Sequence, residues 1–413
     1  MKYLILVGDG MADHSVAELN GQTPLQSAKT PHLNFLAQHG ELGLVKTTPS
    51  GCYPGTDITQ LSLLGYDPKK YSTGPAPFEA AGLDVVLNPD DVAYRCNLVT
   101  LRADSGGYDI TKLGPHAAME DFTAGQIDTL EAKELIYDIN EQLGTEVVQF
   151  YAGVSYRHIM VWAEGKHRMQ LMPPQDIVGK PVGEFLPKGE GEKVLRALMD
   201  AALPILREHQ INVDRLEGGK PPANSLWFWG QGKSPKIPKL TERYGLTASM
   251  ISALDLPRGV GLYCGFDAVA VPGATGYGDT NYVGKAESAL REFKTKDLVC
   301  VHLAATDEAS HQGDLQGKVK AIEAFDEQTV GPLLKELPKF GPHRVLAVCN
   351  HATPLALRRH TDEPVPFVLY EGPAGASKAG RDRGFNELDA KASKVLLEDP
   401  TKLMARLIGK HTA

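Results

Sequence analysis

An α/β core with a mostly parallel sheet, helices on both faces and an inserted smaller α+β domain is the fold class this sequence predicts, and three observations predict it. Short continuous apolar runs at 4–7, 298–303, 344–348 and 366–370 have the texture of strands covered on both faces. Helical patterns separate them, at 33–37, 284–293 and 315–334, and strands alternating with helices argue for a parallel sheet. The pair Thr30-Pro31 fits a helix N-cap followed by proline in the first turn. The middle of the chain has a looser texture, with Gly106-Gly107, Pro173-Pro174 and Gly218-Gly219-Lys220-Pro221-Pro222. Between those breaks lie two expected helices, 131–143 and 192–208, and an expected strand, 154–163. The expected division is therefore a core at 1–92 and 223–413 around an inserted domain at 93–222.

Composition narrows the partners. The 413 residues are 42% hydrophobic and 23% charged, an ordinary globular balance with room for more than one domain. A net charge of -8 offers no basic field for nucleic acid or an anionic membrane. The first apolar run is too short for a secretory leader and Asp9 interrupts it, and no run approaches the roughly 18 residues of a membrane span. The five cysteines are scattered without paired spacing; Cys300 and Cys349, inside apolar runs, read as small buried hydrophobes, and a reduced, cytoplasmic protein is expected. A small anionic substrate would need local positive charge or metal inside so acidic a chain; oligomeric state is silent.

Chemistry collects just after the apolar runs. Asp9 follows the first, in Gly8-Asp9-Gly10; Asp307 and His311 follow the second; Asn350-His351 follows the third, with His360 nine residues on. Carboxylate, amide and imidazole groups after parallel strands gather at one sheet edge, where they suit Mn²⁺ or Zn²⁺ better than Ca²⁺ or Mg²⁺. On a helix, Asp307 and His311 are four apart and share a face. Thr56 completes the set: Gly55 allows close backbone approach, and residues 57–64 read as a helix whose free N–H groups and positive end lie beside the hydroxyl. A cation on that oxygen would favour its alkoxide. Each residue also has a bland alternative: Thr56 as an ordinary N-cap, Asp307 as a helix cap beside a surface histidine, and His351 or His360 as surface polar groups.

In order along the chain, Gly8-Asp9-Gly10-Met11-Ala12-Asp13, Thr30-Pro31-His32-Leu33-Asn34, Pro54-Gly55-Thr56-Asp57, Leu64-Gly65-Tyr66-Asp67-Pro68 and Phe78-Glu79-Ala80-Ala81-Gly82 resemble the archaeal-type cofactor-independent phosphoglycerate mutases. So do Tyr94-Arg95-Cys96-Asn97, Val154-Ser155-Tyr156-Arg157-His158, Gly273-Ala274-Thr275-Gly276-Tyr277, and the stretches around Asp307 and His351. Trp227-Phe228-Trp229-Gly230-Gln231-Gly232 resembles a bacterial branch labelled a proposed homoserine kinase. The resemblance implies an alkaline-phosphatase-like core and two divalent cations, Mn²⁺ first with Zn²⁺ or Mg²⁺ as alternatives. It implies Asp9, Thr56, Asn350 and His351 for one cation, and Asp307, His311 and His360 for the other. It also implies a small phosphorylated or hydroxylated carboxylate as partner and interconversion of 2- and 3-phosphoglycerate through phospho-Thr56, with Arg95, Arg157, His158 and Asp57 binding the substrate. Three positions depart from the family pattern: Thr56 stands for serine, Pro75 for arginine in Thr73-Gly74-Pro75-Ala76, and Asn350 for aspartate. The amide removes one negative charge from its pocket while still offering a carbonyl oxygen. Phosphoryl transfer to homoserine or another small alcohol is the alternative, without a phosphate loop of the Gly-x-x-x-x-Gly-Lys kind to support ATP. A metal-weakened pseudoenzyme with a binding or sensing role is the third reading.

Overall fold

The computed structural model describes residues 1–372 and 380–409. The chain forms two compact units, Met1–Ser72 with Lys236–Ala413, and Thr73–Pro235. In chain order the principal strands are β1 (Lys2–Gly8), β2 (Glu41–Val45), β3 (Val92–Ala103), β4 (Ala117–Asp121), β5 (Val148–Tyr151), β6 (Arg157–Trp162) and β7 (Ser225–Lys233). They continue as β8 (Ala248–Ile251), β9 (Phe266–Val269), β10 (Leu298–Leu303), β11 (His343–Cys349), β12 (Val365–Gly372) and β13 (Leu396–Leu397). The helices used below are α1 (Pro31–His39), α2 (Thr56–Leu63), α3 (Ala76–Gly82), α4 (Thr129–Leu143), α5 (Glu192–Glu208), α6 (Ala305–Gln312) and α7 (Leu315–Phe325).

The first unit holds an eight-stranded sheet in the order β9-β8-β10-β1-β11-β12-β2-β13. Its centre is parallel: β1 runs beside β10 on one side and β11 on the other. Only β12 opposes its neighbours β11 and β2, so the mostly parallel sheet expected from the apolar runs is the one that forms. Leu4, Ile5, Leu6, Val299, Val301, Leu346 and Val348 are buried, as strands covered on both faces require. The parallel register carries Gly8, Leu303 and Cys349 to the same edge, so the residues after them emerge together.

Two local expectations change. Thr30 stands at the N-cap of α1 but makes no capping hydrogen bond. Asp326, almost three hundred residues away, does that work: its carboxylate accepts from Leu33 N–H at 2.7 Å and from His32 N–H at 3.1 Å. To reach them, the helix expected over 315–334 breaks into α7, a π-helical turn at Asp326–Val330 and a short helix at Gly331–Glu336. A π turn rotates a side chain off the regular helical face, and here it aims a buried carboxylate at the orphan N–H groups of another helix.

The second unit is α+β, with antiparallel strands in the order β4-β3-β6-β5 and β7 on the other flank of β3. Helices α4 and α5 close around Tyr94, Leu135, Leu195, Leu203, Trp227 and Phe228 in its core. It is wider at both ends than the expected 93–222. Helix α3 packs Ala76 and Ala80 on Ala93, Ile159 and Val161, and β7 pairs along β3 from Val99↔Ser225 to Val92↔Lys233. Those contacts join the flanking segments to the insertion, although the Gly- and Pro-rich breaks lie inside it. Gly74 (φ 130°) lies so close to Gln231 that a Cβ would strike its carbonyl group.

His158, on β6, is buried in this unit and reads differently from a surface residue of a sheet. Its Nδ1 accepts from Gly153 N–H at 3.1 Å, and its Nε2 has no partner. Burial, with Arg157 adding to it, pushes its imidazolium pKa down to about 3. Between pH 6.5 and that value the unfolded chain binds a proton the folded unit refuses, so stability falls as pH falls, by up to roughly 1.4 kcal/mol per pH unit. Trp162, Trp227 and Trp229 are the chain's only tryptophans and all lie in this unit. Tryptophan-detected melting should therefore show a flatter decline from pH 6.5 to 4 in His158→Gln than in the native chain; parallel slopes would remove His158 as the cause.

Candidate metal centre

Three histidines define the centre by where their Nδ1 atoms go. His311 Nδ1 lies 2.9 Å from the Arg358 carbonyl and His360 Nδ1 lies 2.8 Å from the Pro54 carbonyl. A carbonyl only accepts, so both Nδ1 atoms carry the proton and both Nε2 lone pairs point inward. His351 Nδ1 lies 3.0 Å from Thr353 Oγ1, whose own proton is donated to Asp307 Oδ1 at 2.6 Å. That fixes the same tautomer on His351.

The inward atoms converge. His311 Nε2 and His360 Nε2 stand 3.2 and 3.3 Å from Asp307 Oδ2 and 3.1 Å from each other. Asp307, His351 and His360 also bring ligand atoms within 4.8 Å of one another. His351 Nε2 is 3.0 Å from Asp9 Oδ1, yet is not aligned to bond it and has no hydrogen-bond partner. Imidazole lone pairs facing each other and a carboxylate, each ring anchored through its far nitrogen, fit a divalent cation of the Mn²⁺ or Zn²⁺ type. Without one, a proton is the substitute. Burial opposes charge on His311, but Asp307 overrides it and lifts His311 to about 9. Burial would raise Asp307, and the two facing histidines instead hold it far below the usual carboxylate range.

The elements explain the placement. Asp307 is not the cap of α6, whose N-cap is Ala304; it sits inside the first turn, one turn before His311 on the same face. Asp9 leaves β1 with its N–H bonded to the Leu303 carbonyl at 2.9 Å and its carbonyl accepting from Thr306 Oγ1 at 2.5 Å. Thr56 is likewise not a cap. Gly55 occupies that position, and Thr56 opens α2 with its hydroxyl unused for capping. Its loop is tied to the centre by the His360–Pro54 bond. Asp57 is buried and accepts from Ser72 Oγ at 3.2 Å.

Asn350 behaves differently from the carbonyl ligand that the resemblance implies. Its Oδ1 already accepts from Gly10 N–H at 3.1 Å and His351 N–H at 3.0 Å. Two backbone donors fix that oxygen, so Nδ2 is the atom turned to the centre, where it donates to Asp9 Oδ1. His302, absent from the sequence reading, lies on the other side: its Nε2 is 3.2 Å from Asp9 Oδ2. Its signal was a single polar residue inside the apolar run 298–303. Thr353 lies two residues past His351, and nothing in the sequence pattern marks its hydroxyl.

Three of the expected substrate residues lie in the second unit. Arg95 is committed: Nε and Nη2 donate to Glu79 at 2.8 and 2.6 Å, and the guanidinium lies 4.5 Å from the Trp229 ring centre. His158 is buried, and that burial holds its imidazole neutral with Nε2 unpartnered. Arg157 is half-buried, stacks over Tyr156 at 4.8 Å and donates to the Tyr156 hydroxyl.

A family profile described as 2,3-bisphosphoglycerate-independent phosphoglycerate mutase matches residues 37–212. The chain is 46% identical over 410 residues to a probable 2,3-bisphosphoglycerate-independent phosphoglycerate mutase of Geobacter sulfurreducens, covering 99% of this chain and 100% of that protein. It is 42% identical to a Methanosarcina barkeri protein named as the same mutase, covering 99% of each. Among solved structures, a Pyrococcus horikoshii protein matches with TM-score 0.79 and 27% identity over 100% of this chain and 98% of its own. A cofactor-independent phosphoglycerate mutase from Thermoplasma acidophilum matches with TM-score 0.60 and 26% identity over 99% of each chain. No helix among the described residues is long and apolar enough to cross a membrane.

Gly10 (φ 58°) holds the centre closed, because a Cβ there would collide with Asp307 Oδ1 and come within 2.6 Å of Thr353 Oγ1. Gly10→Ala should therefore weaken Mn²⁺ binding on the order of 10–100-fold in calorimetric titration. Unchanged affinity would mean that the Asp307–Thr353 contact does not position the ligands.

Proposed function

The chain belongs to the 2,3-bisphosphoglycerate-independent phosphoglycerate mutases, and from that premise we propose that it interconverts 2- and 3-phosphoglycerate through a phosphorylated Thr56. The observation that carries the site assignment is the tether from Pro54, two residues before Thr56, to the inward-facing ring of His360. It links the hydroxyl's loop to the three imidazoles and Asp307.

Thr56 Oγ attacks phosphorus, forming the Thr56 phosphoester as the bond to the glycerate oxygen breaks. The proton lost by Thr56 is balanced by one gained on the departing glycerate hydroxyl. The glycerate turns, its other hydroxyl attacks the phosphoester, and Thr56 recovers its proton. As first residue of α2, Thr56 has the free N–H groups and positive end of that helix beside it, which favour the anion at each step. Asp307, His311 and His360 would hold one divalent cation, and Asp9 with His351 would contribute to a second. Bound there, such cations supply charge neutralisation and a lowered pKa for the attacking hydroxyl. Manganese is the proposed occupant, on the mixed carboxylate and imidazole donor set. Arg157 is the proposed cationic grip for the substrate's carboxylate or phosphate, since a guanidinium fork fits either anion.

Incubation with 3-phosphoglycerate followed by acid quench and mass spectrometry should find phosphate on the Thr56 peptide. Thr56→Ala should lose on the order of 10⁴-fold or more in turnover, and Thr56→Ser should retain it, because serine keeps the hydroxyl. An active alanine variant would overturn the assignment of Thr56. Phosphorylation of homoserine in a parallel assay with ATP, without mutase turnover, would instead favour the small-alcohol reading.

A further inference from the structure

We infer that the Asp9 pocket has no resident cation of its own and takes one only together with a phosphoryl group, an inference that rests on the mutase reading of the same centre. The two halves of the centre are unequal in what they offer. Around Asp307 Oδ2, two imidazole Nε2 atoms lie within 3.3 Å with their Nδ1 protons given away to carbonyls, so one carboxylate oxygen and two lone pairs face a common point. That is a complete set of three protein ligands with positions left open.

Around Asp9 the set is incomplete. Asn350 cannot turn its oxygen inward without abandoning Gly10 N–H and His351 N–H, both buried donors. Leaving them unpaired would cost about 1–3 kcal/mol each. Its Nδ2 therefore occupies one lone pair of Asp9 Oδ1, while His302 Nε2 stands 3.2 Å from Oδ2 without a hydrogen-bond partner. The ligands remaining to a cation are His351 Nε2, the Asp9 lone pairs that Asn350 leaves, and the neutral Thr56 hydroxyl that the resemblance implies. A single negative charge among neutral donors does not hold a divalent ion tightly against water. Divalent ions with few protein carboxylates are characteristically completed by substrate phosphate oxygens. A phosphoryl group at Thr56 would bring both the missing donors and the missing charge. By linkage, cation and phosphate then bind cooperatively, each raising the other's affinity by the same factor.

The same geometry defines the converse variant. In Asn350→Asp the two backbone donors still claim one oxygen, and the second carboxylate oxygen faces Asp9 Oδ1 where the amide had donated. Two facing carboxylates favour a cation between them, so this variant should hold the second ion without phosphate.

The test is equilibrium dialysis of chelator-stripped chain against Mn²⁺, with and without inorganic phosphate. Dialysis equalises free Mn²⁺ and its phosphate complexes on both sides. The native chain should bind one Mn²⁺ per chain alone and two with phosphate, whereas Asn350→Asp should bind two in both conditions. Two ions on the native chain without phosphate, or one in both conditions, would overturn the inference, and the native measurements decide it even if the variant does not fold. Inorganic phosphate requires no turnover. Phosphate-dependent recruitment without mutase activity would thus leave this inference standing while removing the mutase reading.

Discussion

The Thr353 hydroxyl donates to Asp307 Oδ1 at 2.6 Å and receives His351 Nδ1 at 3.0 Å, so a single oxygen joins the two halves of the centre. Much of the surrounding structure exists to keep that oxygen in place. Gly10 supplies the space by lacking a Cβ. Lys318 on α7, fully buried, donates to the Thr353 carbonyl at 3.1 Å and to Asp13 at 2.6 Å. Asp13 in turn accepts from Leu355 N–H, two residues past Thr353. Burial lowers the Lys318 pKa and Asp13 opposes that shift, as expected for a buried ion pair whose value lies in fixing geometry more than in net stability.

The sheet edge was the most legible part of the sequence. Continuous apolar runs ending at Gly8, Leu303 and Cys349 indicate buried parallel strands, and right-handed parallel connections leave their ends at one edge. The spacing of Asp307 and His311 is a helical repeat and was readable directly. Which atom of Asn350 faces inward was not readable, because it depends on two backbone N–H groups, one of them 340 residues away. Nor was His302, because a histidine inside an apolar run carries no signal of what stands across from it. Thr30 misled for a related reason: local pattern suggests a self-capped helix, and the cap comes from a π turn late in the chain.

The second unit shows composition failing as a guide to boundaries. Gly- and Pro-rich loops mark where the chain turns, and here they lie inside a unit whose edges are fixed by β7 along β3 and by α3 on Ala93 and Ile159. Charge was also a weak guide to use. Arg95 belongs to a matched pair with Glu79 and a ring stack with Trp229, so its fork is already satisfied within the unit. His158, next to Arg157 in sequence, lies in the interior instead. Two adjacent residues on one strand thus face environments that differ by the whole cost of desolvating a charge.

The bond from His360 to the Pro54 carbonyl makes a metal ligand part of the backbone support for a loop. The imidazole is a rigid plate, so any swing of Nε2 is also a swing of Nδ1 and of the peptide plane it holds. The position of Thr56 is thereby geared to the orientation of one ring. Disturbing that ring would misplace the hydroxyl even where every donor atom remained present.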